Sequence, residues 1–377
     1  MTVLAGTRRN LGAAALAWVL VLVAAVTGWW VFQPVLHDAT NSDLTFVYIG
    51  ARIGIEQGWS HIYSLDLQHQ LFVQLRPGVF FGDGARFLSP PPLAWLILPL
   101  TALGPIVTYW IWVSVSLVAL GAAWWLAAPG AGWTRWLWLL GALAWHPVLY
   151  SLALGQPAAV VVLTIAGCWW LAERDRPYLA GIILGLSAIK PQLTLAVPIV
   201  LLAAGRWRIA AAWVATVGVL AAASLATIGG QGLDDYSRLL AEAQLVTNNR
   251  YFTLAYFFGA GGVAYAAQAV VTAAAVVGAY LNRQASLARI LCLGLVASAL
   301  GASYWHLQDF AVLVCAAWFF CRGETPSWQR AWLLVVAIAG ELAWPLSPAP
   351  ILIALALRLA FLVVPSHPEQ AVATAAS

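Results

Sequence analysis

Polar and charged side chains are concentrated in one stretch of the sequence, residues 41 to 66, directly after the first hydrophobic run. The stretch contains Asp43, Arg52, His61 and Tyr63, in a chain of which only 8% is charged. A carboxylate that accepts a proton from an attacking hydroxyl, with a histidine nearby, is the minimum for general-base group transfer. We therefore take this stretch as the first candidate for chemistry, with Asp43 as the candidate base.

A histidine that could serve this chemistry lies far along the chain, in the sequence YWHLQD at residues 304 to 309. His306 and Asp309 are three residues apart, so on a helical turn they lie on one face. The predicted topology places them on the same side of the membrane as Asp43. We predict catalytic roles for Asp43 and His306 and a binding role for Asp309. The alternatives are a solvated Asp43 and a mutually satisfied His306–Asp309 pair at a helix end.

Lys190, the single lysine of the sequence, lies in an apolar segment and is followed by Pro191. An ionisable side chain at membrane depth indicates function, here most simply a partner for a phosphate. The alternative is a lysine that extends to the cytoplasmic interface. Arg52, His61 and Tyr63 could bind a sugar or a phosphate, or they could be ordinary surface residues.

The composition is that of a chain surrounded by lipid: 63% of its 377 residues are hydrophobic, and the mean hydropathy is +0.85. These values predict an all-α polytopic membrane protein. The net charge of +4 is spread over loops, so it sets topology and gives no support to a nucleic-acid partner. Membrane lipid is the expected surrounding partner. We treat residues 1 to 377 as one integral membrane domain.

Arginines in the loops predict the orientation of the chain. Two of them precede the first apolar helix, residues 11 to 33, and place the amino terminus in the cytoplasm. Residues 34 to 90 then form a long outer loop with two short amphipathic helices at the membrane surface. A second outer loop is predicted at residues 229 to 250, and a disordered tail at 365 to 377. The apolar runs together predict roughly ten to twelve transmembrane helices.

Two of the apolar runs are interrupted. One break is the sequence GQP at residues 155 to 157, and the other, before Pro191, divides residues 179 to 204 into a hairpin of two short helices. Broken helices also occur at transport sites, so a transporter or flippase is the alternative to an enzyme. The acidic and aromatic outer loop argues against transport, because the ionisable groups of a carrier should cluster at mid-membrane. A noncatalytic assembly subunit is a third interpretation.

Five segments occur in an order that resembles glycosyltransferase family 87 of the GT-C superfamily, whose members are polyprenol-phosphate-mannose-dependent mannosyltransferases. The resemblance covers about residues 38 to 320. Its segments are DLTFVYIGARIGIEQG from residue 43, SPPPLAWLILPLTALG from residue 89, the GQ pair at 155 and 156, AGIILGLSAIKPQLTL from residue 180, and SYWHLQDF from residue 303.

The resemblance implies a GT-C-like helical bundle in the cell (inner or plasma) membrane, multi-pass, with a long outer first loop and an active site on the outer face. It implies transfer of a hexose, mannose in that family, from a polyprenyl-phosphate sugar donor to a lipid or glycan acceptor, with inversion at the anomeric carbon. Asp43 corresponds to the catalytic base, His306 to the site histidine, and Lys190 falls in the family's Lys-Pro segment.

The chain departs from the family where Leu44 stands for a common Phe and Pro157 for a common Asn. The second change leaves open the role of Gln156, which we predict to bind substrate. No acidic pair has the spacing of a metal site, and the four cysteines lie in or at the ends of apolar runs without CxxC spacing. We therefore predict that the protein uses no metal and no cofactor.

The predicted orientation can be tested with single cysteines and an impermeant thiol reagent on intact cells. Gly84→Cys and Gly230→Cys lie in the predicted outer loops and should be labelled, whereas Gly205→Cys lies beside cytoplasmic arginines and should not. Labelling of Gly205→Cys from outside would contradict the predicted topology.

Overall fold

The computed structural model describes residues 2–82, 84, 86–323 and 326–364, with side chains from residue 12 onward. All regular secondary structure in these residues is helical, and the all-α prediction is confirmed. The tail predicted to be disordered, residues 365 to 377, lies outside the described residues.

Seventeen α-helices occur in the described residues. In chain order they are α1 (Thr2–His37), α2 (Leu44–Glu56), α3 (Leu65–Leu75), α4 (Pro91–Ile97), α5 (Pro105–Ala127), α6 (Trp133–Ala144), α7 (His146–Ala153), α8 (Ala158–Ala172), α9 (Pro177–Gly185), α10 (Val197–Ala203), α11 (Trp207–Leu245), α12 (Ala255–Phe258), α13 (Gly262–Leu281), α14 (Leu287–Gly301), α15 (Leu313–Phe320), α16 (Ser327–Leu342) and α17 (Ala349–Val363). Short 3₁₀ segments are Trp59–His61, Leu98–Leu103, Leu186–Ile189, Pro191–Thr194, Thr247–Arg250 and Leu307–Val312.

Four of these helices are long and apolar enough to cross a membrane: Gly12–His37 within α1, and α5, α11 and α13. The pair α6 and α7 is bent by 62° and adds a fifth crossing if it is one span. A crossing needs about 20 residues, each rising about 1.5 Å. The multi-pass membrane fold is therefore confirmed. The other apolar helical segments among the described residues have 10–17 residues, so the larger predicted number of crossings stays a prediction.

The two short helices predicted within residues 34 to 90 are present as α2 and α3, but α2 lies inside the bundle and not at its surface. A Cβ atom on Gly50 would lie 2.7 Å from the ring of Phe87, and one on Gly54 would lie 2.9 Å from Trp59. These glycines let aromatic rings approach the helix backbone. As a result, most residues of α2 are buried, and not only those on one apolar face of an amphipathic helix.

The segment predicted as a second outer loop, residues 229 to 250, is helical as far as Leu245, and its position outside the membrane stays a prediction. Gly229 has a φ of 63° and a ψ of −169°, so it interrupts the helical backbone at a single residue and α11 continues beyond it. The residues after the kink include many with good helix propensity, such as leucine, alanine, glutamate and glutamine. The glycines at the start of this segment therefore do not end the helix, because one glycine can bend a helix without ending it.

The break before Pro191 separates two short helices, as predicted, but each has its own neighbours. Helix α9 packs on α8 and α11, whereas α10 packs on α14 and α13; α10 also contacts α11, which both short helices share. The α9–α11 contact depends on Gly181, where a Cβ atom would lie 2.2 Å from the carbonyl oxygen of Ile209. Small residues allow membrane helices to approach closely in this way.

Gly181→Ala should destabilise the protein, because the new methyl group overlaps the Ile209 carbonyl and forces α9 away from α11. Overpacking of this kind costs about 1–3 kcal/mol or more. Gly218→Ala is the matched control, since Gly218 lies in α11 with open space around it and gains about 0.5–1 kcal/mol of helix propensity. Thermal unfolding of both purified variants in detergent measures the difference. Equal unfolding temperatures would rule out the close α9–α11 contact.

Candidate active site

A cavity of about 510 Å³ lies where distant parts of the chain meet. Its wall is formed by the start of α2, the break between α7 and α8, the break before Pro191, the last turns of α11 and residues 304 to 308. Small-molecule sites in proteins have volumes of about 300–1,000 Å³. The predicted site residues that line the cavity are Asp43, Gln156, Lys190 and His306.

A backbone contact between the start of α2 and the α7–α8 break brings Asp43 and Gln156 together. The amide of Leu44 donates a hydrogen bond to the carbonyl oxygen of Leu154, at 3.1 Å. Gly155 has a φ of 67°, and a Cβ atom there would lie 2.8 Å from the Cβ atom of Leu44. Glycine allows both this left-handed conformation and this close approach.

Two aromatic side chains of α5 hold the α7–α8 break in place. The indole Nε1 of Trp112 donates a hydrogen bond to the carbonyl oxygen of Gly155, at 2.9 Å. The hydroxyl of Tyr109 donates to the carbonyl oxygen of Ala153, at 2.7 Å. A broken helix in a membrane protein leaves carbonyl groups that need partners. These two bonds supply them and so fix the position of Gln156.

A chain of hydrogen bonds joins four of the predicted residues. Gln156 Nε2 donates to Asp43 Oδ2 at 2.5 Å, and Lys190 Nζ donates to Gln156 Oε1 at 2.6 Å. Lys190 Nζ also donates to Asp309 Oδ1, in an ion pair whose two side chains are 8% and 0% exposed. The amide of Gln156 therefore uses its donor end and its acceptor end to connect the cavity carboxylate to a buried ion pair.

The position of Lys190 follows from the proline after it. A residue before proline is pushed away from the α-helical conformation, and Lys190 has a φ of −145° and a ψ of 75°. A hydrogen bond of 2.7 Å between the hydroxyls of Ser187 and Thr194 closes the break. The lysine therefore leaves the helical path and points into the cavity, which its side chain lines.

His306 and Asp309 are close together, as their three-residue spacing suggests. However, the ring of His306 does not pair with the carboxylate of Asp309. Asp309 Oδ2 accepts a hydrogen bond from the backbone N–H of His306, at 3.1 Å. The ring Nε2 of His306 instead contacts Asn249 Oδ1, at 3.1 Å. Asp309 thus orients the backbone of the turn and neutralises Lys190, while the histidine ring lines the cavity.

Burial changes the proton affinities of the two groups predicted to be catalytic. Burial raises the pKa of the Asp43 carboxyl above its ordinary value, although the hydrogen bond from Gln156 favours the charged form. Burial lowers the pKa of the His306 ring, and the negative charge of Asp309 opposes this effect. A carboxylate with raised proton affinity suits a general base, and the histidine is held neutral at physiological pH.

Arg52 and His61, predicted from the sequence to bind substrate, do not line the cavity. The guanidinium of Arg52 forms an ion pair with Glu56, and His61 Nδ1 lies 3.3 Å from Gln231 Nε2. Arg52 is thus paired with a residue on the next turn of α2, and His61 contacts a residue of α11. The geometry gives their predicted ligand contacts no support.

Tyr63, the third of these predictions, lies behind the cavity wall. It is 1% exposed, and its hydroxyl donates to the carbonyl oxygen of Ser89 at 2.9 Å. Its ring stacks on Phe87, with the ring centroids 5.6 Å apart, and packs at a tilt against Tyr236, with the centroids 4.5 Å apart. Both Phe87 and Tyr236 line the cavity. Tyr63 therefore supports the wall and does not reach the interior.

The cavity residues that were not among the sequence predictions include Asn249, Tyr304 and Trp344. Tyr304 belongs to the same YWHLQD turn as His306, so proximity in sequence could have identified it. Asn249 lies in a short polar run that resembled an ordinary loop. Trp344 stands at the end of an apolar run, where tryptophan is expected at a membrane interface in any case.

No group of three or more histidine, cysteine, aspartate or glutamate side chains that could hold a metal occurs in the described part of the chain. The four cysteines are unpaired thiols, three of them buried. Independence from metals and cofactors stays a prediction.

Membrane-embedded enzymes and carriers both include multi-pass helical proteins with a carboxylate at an internal cavity. The sequence pattern of glycosyltransferase family 87 matches residues 87–300, which is more than half of the chain. The chain belongs to this family, and the protein is a membrane glycosyltransferase that uses a sugar donor and an acceptor. The resemblance found in the sequence is thereby confirmed. No curated protein and no solved structure matches the chain.

The matched segment contains part of the site. Gln156, Lys190 and Asn249 lie within it, whereas Asp43 precedes it and His306 follows it. The fold brings the three parts of the sequence to one cavity.

Lys190→Met should destabilise the protein, because it leaves the carboxylate of Asp309 buried without its counter-ion. Removing one member of a buried pair costs about 3–5 kcal/mol. The double variant Lys190→Met with Asp309→Asn removes both charges and should recover most of that loss. Thermal unfolding of wild type, both single variants and the double variant completes the cycle. Additive effects of the two single changes would mean that the side chains do not interact.

Proposed function

We propose that the protein transfers a hexose, with mannose as the expected sugar, from a polyprenyl-phosphate donor to a lipid or glycan acceptor at the outer face of the cell membrane. The fold would be a GT-C-like bundle that forms one integral membrane domain. The observation that carries the proposal is the half-buried carboxylate of Asp43 at the cavity, connected through Gln156 to Lys190.

The reaction is a single displacement at the anomeric carbon. The acceptor hydroxyl oxygen forms a new bond to that carbon while the bond to the donor phosphate oxygen breaks, and the phosphate leaves with the electron pair. Asp43 takes the hydroxyl proton as the bond forms. Attack opposite the leaving group inverts the configuration of the sugar. Polyprenyl phosphate is a good leaving group, so the protein mainly has to orient the reactants and stabilise charge.

The arrangement of Asp43 suits the role of base. Its Oδ2 accepts the hydrogen bond from Gln156, and no described residue donates to Oδ1. Oδ1 is therefore the oxygen that can receive a proton from an acceptor hydroxyl. The bond from Gln156 keeps the carboxylate in one orientation before the acceptor arrives.

Lys190 is the group best suited to the donor phosphate. A lysine ammonium has three N–H donors, and two of them are used by Gln156 and Asp309. The third can bind a phosphate oxygen at the cavity wall without breaking the ion pair. Arg52, which the sequence offered as an alternative, is paired with Glu56 away from the cavity.

Asp43→Asn should lower turnover by about a hundredfold to ten-thousandfold, because an amide keeps the size of the carboxylate but cannot take the proton. Donor binding should survive. Asp38→Asn is the matched control: Asp38 is exposed, pairs with Arg76 and does not line the cavity, so its turnover should stay near wild type. The measurement is sugar transfer by purified protein from synthetic polyprenyl-phosphate sugars to a lipid extract.

The pH dependence of the wild type provides a second readout of the same role. Only the deprotonated carboxylate can accept a proton, so kcat/KM should fall as the pH drops through the pKa of Asp43. Because burial raises that pKa, the fall should begin above the ordinary value of 3.8.

Near-normal transfer by Asp43→Asn would remove Asp43 as the base and favour a noncatalytic role for the cavity carboxylate.

A further inference from the structure

The side chain of Asn249 is hydrogen-bonded to the ring of His306. Asn249 lies in the 3₁₀ segment Thr247–Arg250 directly after α11 and is 6% exposed. Its Oδ1 is 3.1 Å from His306 Nε2, and its Nδ2 donates to the carbonyl oxygen of Ala243 at 2.8 Å. Its own carbonyl oxygen accepts a hydrogen bond of 3.2 Å from the backbone N–H of Trp305. Asn249 therefore contacts both the ring of the histidine and the backbone beside it.

These contacts determine which ring nitrogen of His306 carries the proton. A backbone carbonyl can only accept a hydrogen bond, so the side-chain atom of Asn249 that faces Ala243 must be the NH₂ group. The atom that faces His306 must then be the amide oxygen, which is also only an acceptor. A hydrogen bond between Oδ1 and Nε2 consequently requires a proton on Nε2. In a neutral imidazole, Nδ1 is then the unprotonated nitrogen.

We infer that Asn249 is a positioning residue that holds His306 as the Nε2–H tautomer and leaves Nδ1 as a hydrogen-bond acceptor for a substrate hydroxyl. The inference rests on the proposed function for the identity of the hydroxyl, which belongs to the sugar or the acceptor. The ring lines the cavity. In the capping box of this turn the backbone N–H of Asp309 faces the His306 side chain, and it also donates to the carbonyl oxygen of His306 at 3.0 Å. A substrate hydroxyl at Nδ1 would therefore replace the side-chain contact and leave that N–H with a partner. An unprotonated nitrogen cannot donate to a phosphate oxygen, so this arrangement assigns His306 to a hydroxyl and leaves the phosphate to Lys190.

Other groups around the ring are consistent with a neutral histidine. The charges that act on it are those of Asp309, Lys190 and Asp43, and Tyr304 packs edge-on against it with the ring centroids 4.8 Å apart. Burial lowers the pKa of His306 and outweighs the attraction of the carboxylates. Asn249 adds no charge, whereas an aspartate at the same position would favour the imidazolium.

The tautomer can be measured without an activity assay. The protein is labelled with ¹⁵N-histidine, reconstituted in lipid nanodiscs and studied by ¹⁵N NMR as a function of pH. The chain has 6 histidines, and His306→Gln identifies the signals of His306 by their loss. We expect Nε2 of the neutral ring to be protonated and Nδ1 to be unprotonated. A neutral ring protonated at Nδ1 in the wild type would overturn the inference, and this measurement depends on no variant at position 249.

Two variants test the contribution of Asn249. Asn249→Leu removes the acceptor and should lower kcat about tenfold to a hundredfold, the range seen when a reacting group is misplaced, with the tautomers mixed and the donor KM little changed. Asn249→Asp should raise the pKa of His306 by about one pH unit or more, since a carboxylate replaces the amide at hydrogen-bond distance. Once the raised pKa of His306 exceeds that of Asp43, the acidic limb of kcat/KM should move to higher pH with it, because a protonated Nδ1 cannot accept.

The matched control is Asn248→Asp, which adds the same charge one residue away on a cavity side chain that does not bond to His306. It should move the pKa of His306 less than Asn249→Asp does. An equal shift in both variants, or an unchanged tautomer in Asn249→Leu, would overturn the positioning role. If the wild type has the expected tautomer but transfers no sugar from polyprenyl-phosphate donors, the proposed function fails while the role of Asn249 stands.

Discussion

The site depends on one buried ion pair, Lys190 with Asp309. Removing two charges from water costs several kcal/mol for each ion, and the pair offsets that cost only when its remaining hydrogen-bonding groups also find partners. Here most of them do: Asp309 accepts from the backbone of His306, and Lys190 donates to Gln156, which in turn orients Asp43. The same bonds that make the pair tolerable also align the groups of the cavity. Stability and chemistry are therefore coupled at this point of the fold.

Interrupted helices make that alignment possible. A continuous transmembrane helix satisfies its own backbone and presents its side chains around a cylinder, so it offers few ways to bring several polar groups to one point. The breaks at Gly155 and before Pro191 each turn a polar side chain out of the helical path. Trp112 and Tyr109 then satisfy the carbonyl groups that the first break exposes. At these two breaks the residues with irregular backbone, Gly155 and Lys190, are buried.

Part of the site could be predicted because few polar residues occur in an apolar chain. In such a setting an Asp, a Lys and a His each attract notice, and Asp43, Lys190 and His306 do line one cavity. The same reasoning failed to separate Arg52 and His61 from them, since those residues are equally conspicuous in sequence but find partners outside the cavity. Asn249 carried no signal, because an amide in a polar run is typical of any loop. Its importance comes from a contact with a residue far along the chain.

The sequence by itself determined the class of the protein: its hydrophobicity requires helices in a membrane, and the order of its motifs matches one glycosyltransferase family. The tertiary structure alone decided which polar groups meet. That Gln156 bridges Asp43 and Lys190 depends on a left-handed glycine packed against Leu44. It also decided that residues after Gly229 continue as a helix that carries Asn249 to the histidine. Composition fixes the solvent in which a chain folds, whereas contacts between distant residues depend on how its helices bend and pack.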